Sequence, residues 1–126
     1  MPSAPQPPVL SDGVVSLRLP RADDADDITL GCQDPQIAQW TTVPSPYTRT
    51  DAEEWLARQP APADWWASPG WCITVLPHDR WCGSIDLRPD GQGGVEVGYL
   101  VAPWARGHGH AARSLRLVSG WAFAAL

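Results

Sequence analysis

The chain contains no lysine and no asparagine, so its nine basic residues are all arginine. Acidic residues outnumber them, and the formal net charge is −5 at pH 7. A basic face for nucleic acid is hard to build from this composition, and we expect no nucleic-acid partner. Because Ala, Gly, Pro, Arg and Asp are abundant, we attribute the missing residue types to the codon usage of a GC-rich genome rather than to function.

Long apolar runs and an export signal are also missing. No stretch of about 18 apolar residues could span a bilayer, so we expect no membrane partner. Residues 1–10, MPSAPQPPVL, have neither a basic start nor an apolar core, which predicts a disordered lead rather than a signal peptide. Because it has no export signal, the chain is predicted to be cytoplasmic. With 126 residues, 44% of them apolar, and eight tryptophans, it is predicted to form one small domain over residues 11–126.

Cysteine is scarce, and the three cysteines include no C-x-x-C pair. If WCITVL and RWCGSIDL form a hairpin in which Cys72 lies opposite Ile85, the alternation of side chains sends Cys72 and Cys82 to opposite faces of the sheet. Cys32 lies far away in the sequence. We therefore expect three buried, reduced cysteines and no disulfide.

Hydrophobic periodicity predicts a strand, several helices, a three-stranded meander and a last long helix. The predicted strands are Val14–Leu19, Trp71–Leu76, Arg80–Arg88 and Gly94–Ala102, and the last helix runs from Gly107 to about Phe123. Asp34 is predicted to cap a short helix, and Thr50 with Glu53 has the spacing of a capping box. Trp65 and Trp66, in a predicted loop, either plug the core or flank a pocket. This order indicates an α/β or α+β layer fold.

The segment WARGHGHAARSL, residues 104–115, carries the most specific chemical signal. His108 and His110 would point apart on a helix and have no third ligand nearby, so we expect no metal site. A chain without lysine excludes a Walker P-loop, and no second strand follows to complete a dinucleotide-binding motif. Two interpretations remain open: a tight turn, or an anion site made by free backbone N–H groups with Arg106 at its mouth.

The order of elements and the segment VEVGYLVAPWARGHGHAARSLRLVSGWAF resemble the GNAT superfamily of acyl-CoA-dependent N-acetyltransferases. The family's phosphate-binding signature, [RQ]-x-x-G-x-[GA], is matched by Arg106, Gly109 and Ala111. SLRLPRADDADDI and PYTRTDAEEWL are similar to the opening of the RimJ/RimL-like branch. The resemblance implies a mixed, mostly antiparallel sheet flanked by helices. The domain is expected to be truncated, because the family's C-terminal strands have no counterpart before Leu126.

The resemblance also implies a function and a site. Acetyl-CoA is the expected co-substrate, without a metal, and the acetyl group is expected to move directly to a primary amine on a protein N-terminus or a small molecule. Glu96 is the implied general base, and the amide N–H near Val101 is expected to polarise the acetyl carbonyl. The residues expected to bind the cofactor are Leu100, Val101 and Ala102 for the pantetheine arm, and Arg106, Gly107, His108, Gly109, His110, Ala111 and Ala112 for the pyrophosphate.

A second hypothesis is a non-catalytic acyl-CoA-binding or interaction fragment. The fourth predicted strand would be an unpaired edge, and such an edge promotes pairing with other chains. We therefore expect self-association or pairing with a complementing C-terminal segment.

Overall fold

The computed structural model of the protein describes residues 6–41 and 43–125, with only the backbone of Trp40. The strands are β1 (Leu10–Ser11), β2 (Val15–Arg18), β3 (Gly70–Val75), β4 (Gly83–Pro89) and β5 (Val95–Val101). The helices are α1 (Ala25–Gly31), α2 (Pro35–Trp40), α3 (Arg49–Ala57), α4 (Pro62–Trp65) and α5 (His110–Ala125). Two short 3-10 turns precede α1 and α5, at Ala22–Asp24 and Pro103–Ala105.

The five strands form one sheet in the order β1-β2-β3-β4-β5, and every pairing between them is antiparallel. The expected α/β architecture, a sheet flanked by helices, is therefore confirmed. Strand β5 pairs with β4 on one side and is the last of the described strands in the sheet, so within residues 6–41 and 43–125 its other side is an open edge. The segment that matches the family signature, Arg106 to Ala111, comes after this edge strand in the chain, separated from it by the 3-10 turn Pro103–Ala105.

Apolar side chains cover both faces of the sheet. Ala25, Ile28 and Cys72 belong to a buried cluster between the sheet and the first three helices. Leu17, Ile73, Ile85 and Val118 belong to a second cluster, on the face that carries α5. Trp65 is 3% exposed, and its ring meets Trp71 edge-on at 5.0 Å. Core plugging, one of the two roles left open for Trp65, is therefore confirmed.

The predicted hairpin register was wrong by one residue. Cys72 pairs with Ser84 and not with Ile85. The N–H of Cys82 donates to the carbonyl of Ile73, whose Cα partner is Gly83, so two residues of this strand lie opposite one, as in a β-bulge. Trp81 consequently packs in the cluster of α1 rather than on the face of Ile85.

The cysteines are free and buried, as predicted. Burial raises the pKa of the Cys32 thiol to about 11, and it also raises the pKa of Cys72, the more deeply buried of the two. Both thiols are therefore protonated at neutral pH and act as small apolar side chains.

The described end of the predicted disordered lead packs on the sheet. Leu10 pairs with Leu17, and the carbonyl of Pro8 accepts a hydrogen bond of 2.9 Å from Trp71 Nε1. Residues 1–5 of the predicted lead lie outside the described residues, as does Leu126. Within the described part of the chain, no helix is both long and apolar enough to cross a bilayer.

The N-cap of helix α3 lies two residues before the predicted one, Thr50. Thr48 is the N-cap, and its hydroxyl accepts from the N–H of Asp51 while Asp51 accepts in return from the N–H of Thr48. The predicted pair, Thr50 and Glu53, lies within the helix. The predicted loop after α3 contains the short helix α4, which begins with Pro62.

Candidate functional site

Two glycines shape the turn between β5 and α5. Gly107 has φ of 80° and Gly109 has φ of 75°, both in the left-handed region that L side chains rarely adopt. A Cβ added at either position would meet nothing within 4 Å. The glycines are therefore required by the backbone conformation and not by a lack of space.

This turn leaves a row of backbone N–H groups without partners. The first backbone hydrogen bond of the helical segment runs from Arg113 N–H to Gly109 O, at 3.1 Å. In the described part of the chain, no N–H group of residues 107–112 donates a hydrogen bond. Six successive free donors lie at the positive end of a 16-residue helix, which is the arrangement that binds phosphate groups.

A cleft of about 350 Å³ runs beside these N–H groups. Helix α2 and the residue after it supply Gln36, Ile37 and Thr41; β5 supplies Tyr99, Leu100 and Val101; and the turn and α5 supply Ala105, Arg106, Gly107, Gly109, His110 and Ala111. Seven of the ten residues predicted to bind the cofactor therefore line one cleft. The α2 wall was not predicted, because no local signal in the sequence shows which helix packs opposite the turn.

Three of the predicted cofactor residues do not line this cleft. Ala102 is fully buried, and its N–H donates to the carbonyl of Cys82 at 2.8 Å. The side chain of Ala112 is exposed on α5. The His108 side chain lines a different cavity. Only the backbone N–H groups of His108 and Ala112 belong to the free row.

The end of β5 directs backbone groups into the cleft. In an antiparallel pair, every second residue of a strand directs its N–H and C=O groups toward the neighbouring strand. Because Ala102 N–H donates to Cys82 O, Ala102 and Leu100 are the residues whose backbone groups face the β4 side. Val101 and Tyr99 therefore direct their N–H and C=O groups toward the open edge. The carbonyl of Val101 accepts from Arg106 Nε at 3.1 Å, in agreement with that direction.

Arg106 holds two walls of the cleft together. Its Nη2 lies 2.8 Å from Asp34 Oδ2, while its Nε bonds Val101 O. The hydrogen bond from Arg106 lowers the pKa of Asp34, which also caps α2 by accepting from the N–H of Ile37, as predicted. The guanidinium expected at the mouth of the anion site thus also fixes the position of α2 relative to β5.

All three histidines of the chain line a neighbouring cavity of about 550 Å³, together with Arg80 and Trp104, and this cavity shares Ala105 and His110 with the first cleft. The rings of His108 and His110 lie 5.6 Å apart. Burial lowers the pKa of His110. Among the described residues, no group of three or more His, Cys, Asp or Glu side chains could hold a metal ion.

A second cleft, of about 260 Å³, meets the first at Thr41, Tyr99 and Leu100, which line both. Its other lining residues are Ile28, Cys32, Val43, Tyr47, Trp55, Trp81, Ser84, Ile85, Asp86, Arg88 and Gly98. Glu96, the predicted base, is exposed, pairs with Arg88 across the strands and lines neither cleft. The carboxylate that does line the second cleft, Asp86, was not predicted.

The fold is shared with solved acetyltransferase structures. A structure from Vibrio cholerae described as a ribosomal-protein-serine acetyltransferase has a TM-score of 0.77 at 16% identity, covering 94% of this chain and 68% of its own. A GCN5-related N-acetyltransferase from Brucella melitensis has a TM-score of 0.75 at 17% identity, with 98% and 58% covered. The microcin C7 self-immunity acetyltransferase MccE, solved with acetyl-CoA and AMP, has a TM-score of 0.68 at 11% identity, with 90% and 66% covered.

These chains are longer than the present one, which spans 58–68% of their length. A comparison with curated proteins found no match. The family model of the acetyltransferase (GNAT) domain matches residues 15–126, which includes both clefts and the turn before α5. The chain therefore belongs to the GNAT acetyltransferase domain family.

Proposed function

We propose that this domain moves an acetyl group from acetyl-CoA directly to a primary amine. The observation that carries the proposal is the row of free N–H groups at residues 107–112, beside a cleft that continues along β5. A pyrophosphate needs several hydrogen-bond donors and a positive potential, and this turn supplies both without a metal. Membership in the acetyltransferase family supports acetyl-CoA as its source.

The pantetheine arm would follow the open edge of β5 from the turn toward Leu100. The N–H of Val101 and the N–H and C=O of Tyr99 face that edge and can bond the amides of the arm, while the carbonyl of Val101 already accepts from Arg106. The N–H of Val101 would stabilise the negative charge that develops on the acetyl oxygen when the amine attacks the thioester carbon. The C–S bond then breaks and CoA leaves as a thiolate. A base takes a proton from the amine, and a proton returned to the thiolate gives the CoA thiol.

Glu96 is the proposed general base for that proton. Its side chain shares a strand face with Leu100, but it lies four residues away along β5, a distance of about 13 Å. Proton transfer over that distance would require intervening water molecules. Glu96 is exposed, which leaves room for such a chain.

In this proposal the acceptor is a protein N-terminus or a small molecule. The reaction takes place in the cytoplasm. The sequence, including its RimJ/RimL-like resemblance, leaves both acceptors open. The description of the Vibrio cholerae structure as a ribosomal-protein-serine acetyltransferase is the observation that supports a protein acceptor.

The alternative is a non-catalytic acyl-CoA-binding or interaction domain. It is favoured by the exposed side chains on the edge strand, where Val95 is 58% and Tyr99 is 54% exposed. An edge with such side chains pairs readily with a second copy or a complementing segment. Sedimentation velocity at micromolar concentration would detect self-association, and a monodisperse monomer would contradict it.

Release of the CoA thiol from acetyl-CoA tests the enzymatic proposal. We expect release that depends on both the protein and an added amine, and a loss of about 100-fold in kcat for Glu96→Gln. Glu53→Gln, which changes an exposed carboxylate on α3, serves as the matched control and should not alter the rate. Binding of acetyl-CoA without release for any amine in a broad panel would instead support the non-catalytic alternative.

A further inference from the structure

The second cleft has one carboxylate in its lining, on strand β4. Asp86 pairs with Gly98, two pairs further from the cofactor cleft than Ser84 and Leu100. Two residues along an antiparallel strand span about 7 Å. This step leaves room for a nitrogen, bonded to Asp86 at roughly 2.8 Å, between that carboxylate and the end of the first cleft.

The carboxylate of Asp86 is incompletely satisfied. Its Oδ1 is buried and receives no hydrogen bond from any described residue. The nearest cation is Arg88, whose Nε lies 3.4 Å away, longer than a charge-assisted hydrogen bond. The side chain as a whole is 43% exposed although Oδ1 is covered, so a ligand would reach the carboxylate through Oδ2. A cation bonded to Oδ2 would balance the negative charge that Arg88 pairs with only at long distance.

The position of Asp86 depends on a glycine across the strand. A Cβ at Gly98 would lie 2.7 Å from Asp86 Oδ1 and would also clash with the guanidinium of Arg88. The glycine lets both side chains lie close against the sheet. Together with Glu96, opposite Arg88, this strand face carries two negative charges and one positive charge. Of these three groups, Asp86 and Arg88 line the second cleft and Glu96 does not, so the acidic character of the cleft depends on Asp86 alone.

The remaining walls of the second cleft are mainly apolar. Ile28, Val43, Tyr47, Trp55 and Leu100 surround the space that Asp86 faces. A volume of about 260 Å³ suits a small molecule better than a folded chain terminus. The walls would exclude water from a compact apolar body while the carboxylate binds its charged end.

We propose that Asp86 is the specificity-determining residue of the acceptor site, binding the ammonium group of a small primary amine with an apolar or aromatic body. This inference rests on the proposed function, because it assigns the second cleft to the acceptor. Asp86 holds the ammonium and orients the nitrogen toward the end of β5. The apolar walls select the body.

Calorimetric titration with 2-phenylethylamine tests the inference, in the presence and absence of saturating acetyl-CoA. We expect Asp86→Asn to weaken amine binding at least about tenfold in either condition, because a charge-assisted bond is lost. Glu53→Gln removes an exposed carboxylate on α3 that lines neither cleft and should change affinity by no more than about twofold. Neutral 2-phenylethanol should bind the wild type and Asp86→Asn equally weakly.

Gly98→Ala provides a second variant without a charge change. It displaces Asp86 and Arg88 and should also weaken amine binding, while circular dichroism and thermal unfolding report whether each variant folds. Equal affinity of folded Asp86→Asn and wild type for the amine, or no binding by the wild type in either condition, would overturn the inference. Tighter binding of phenylalanyl-glycinamide than of 2-phenylethylamine would overturn the assignment to small amines.

These outcomes are separate from those of the proposed function. Failure to bind acetyl-CoA would contradict the proposed function, whereas the amine titration without acetyl-CoA would still report on Asp86. Normal acetyl-CoA binding with no effect of Asp86→Asn on amine binding would reject the inference alone.

Discussion

At the scale of single residues, the turn before α5 was predictable and the partners of its side chains were not. Gly107 and Gly109 stand where a left-handed backbone is needed, and their spacing before a helix is visible in the sequence. The pairing of Arg106 with Asp34 joins residues 72 positions apart. Only tertiary packing determines that contact, so sequence patterns could predict the charge of Arg106 but not its role as a brace.

The sequence also does not show that Asp86 differs from other acidic residues. It lies in an ordinary alternating strand, and no motif distinguishes it from Glu96. The difference between them arises because Asp86 faces a cleft closed by the distant residues Ile28 and Tyr47. A strand pattern gives the face of a side chain, while the surroundings of that face come from elsewhere in the chain.

Asp12 provides a residue-scale prediction about acid stability. The N–H groups of Val15 and Val14 lower its pKa to about 2, and Arg113 contributes further. Because the pKa in the unfolded chain is about 3.9, this contribution to stability is present above about pH 4 and is lost as the pH falls toward 2. Between about pH 7 and pH 3, the melting temperature should therefore fall less for Asp12→Asn than for the wild type. Thermal unfolding monitored by circular dichroism gives both melting temperatures. An equal decrease for Asp12→Asn and the wild type would contradict this prediction.

At the scale of secondary-structure elements, the types and order were predicted well, while ends and register were less reliable. The strands β2 to β5 and the helices α2, α3 and α5 all appear near their predicted positions. The register between β3 and β4 was wrong by one residue, and the bulge in which Cys82 and Gly83 share one partner, Ile73, was not predicted. The alternation of side chains cannot reveal an inserted residue when both neighbours are apolar or small.

The start of α3 gives a prediction that distinguishes the two capping pairs. Thr48→Ala should lower the free energy of unfolding by about 1 kcal/mol, because its hydroxyl accepts from the N–H of Asp51. Thr50→Ala, at an exposed position inside the helix, should change it by less than about 0.5 kcal/mol. Urea unfolding of the two variants makes the comparison. A larger loss for Thr50→Ala would show that the helix begins where the sequence pattern placed it.

At the scale of the whole molecule, α5 packs on one face of the sheet, while the two clefts lie at the edge strand β5 and on the opposite face. Helix α5 covers one face through Val118, and α1 and α2 lie on the other. The first cleft lies at the open edge of β5, the second lies over β4 and β5 on the face that carries α1 and α3, and the two meet at Leu100. This arrangement would bring a thioester at the end of β5 next to an amine held by Asp86.

The central claim is that the turn at residues 107–112 binds the pyrophosphate of acetyl-CoA. Calorimetric titration of acetyl-CoA into the wild type, Gly107→Ala and Gly91→Ala tests it most directly. Both glycines have open space and nearly equal φ, 80° and 79°, so the two substitutions cause matched backbone strain of about 1–2 kcal/mol. We predict that the wild type and Gly91→Ala bind equally and that Gly107→Ala binds about tenfold more weakly. No binding by the wild type, or equal affinities of the two variants, would contradict the claim.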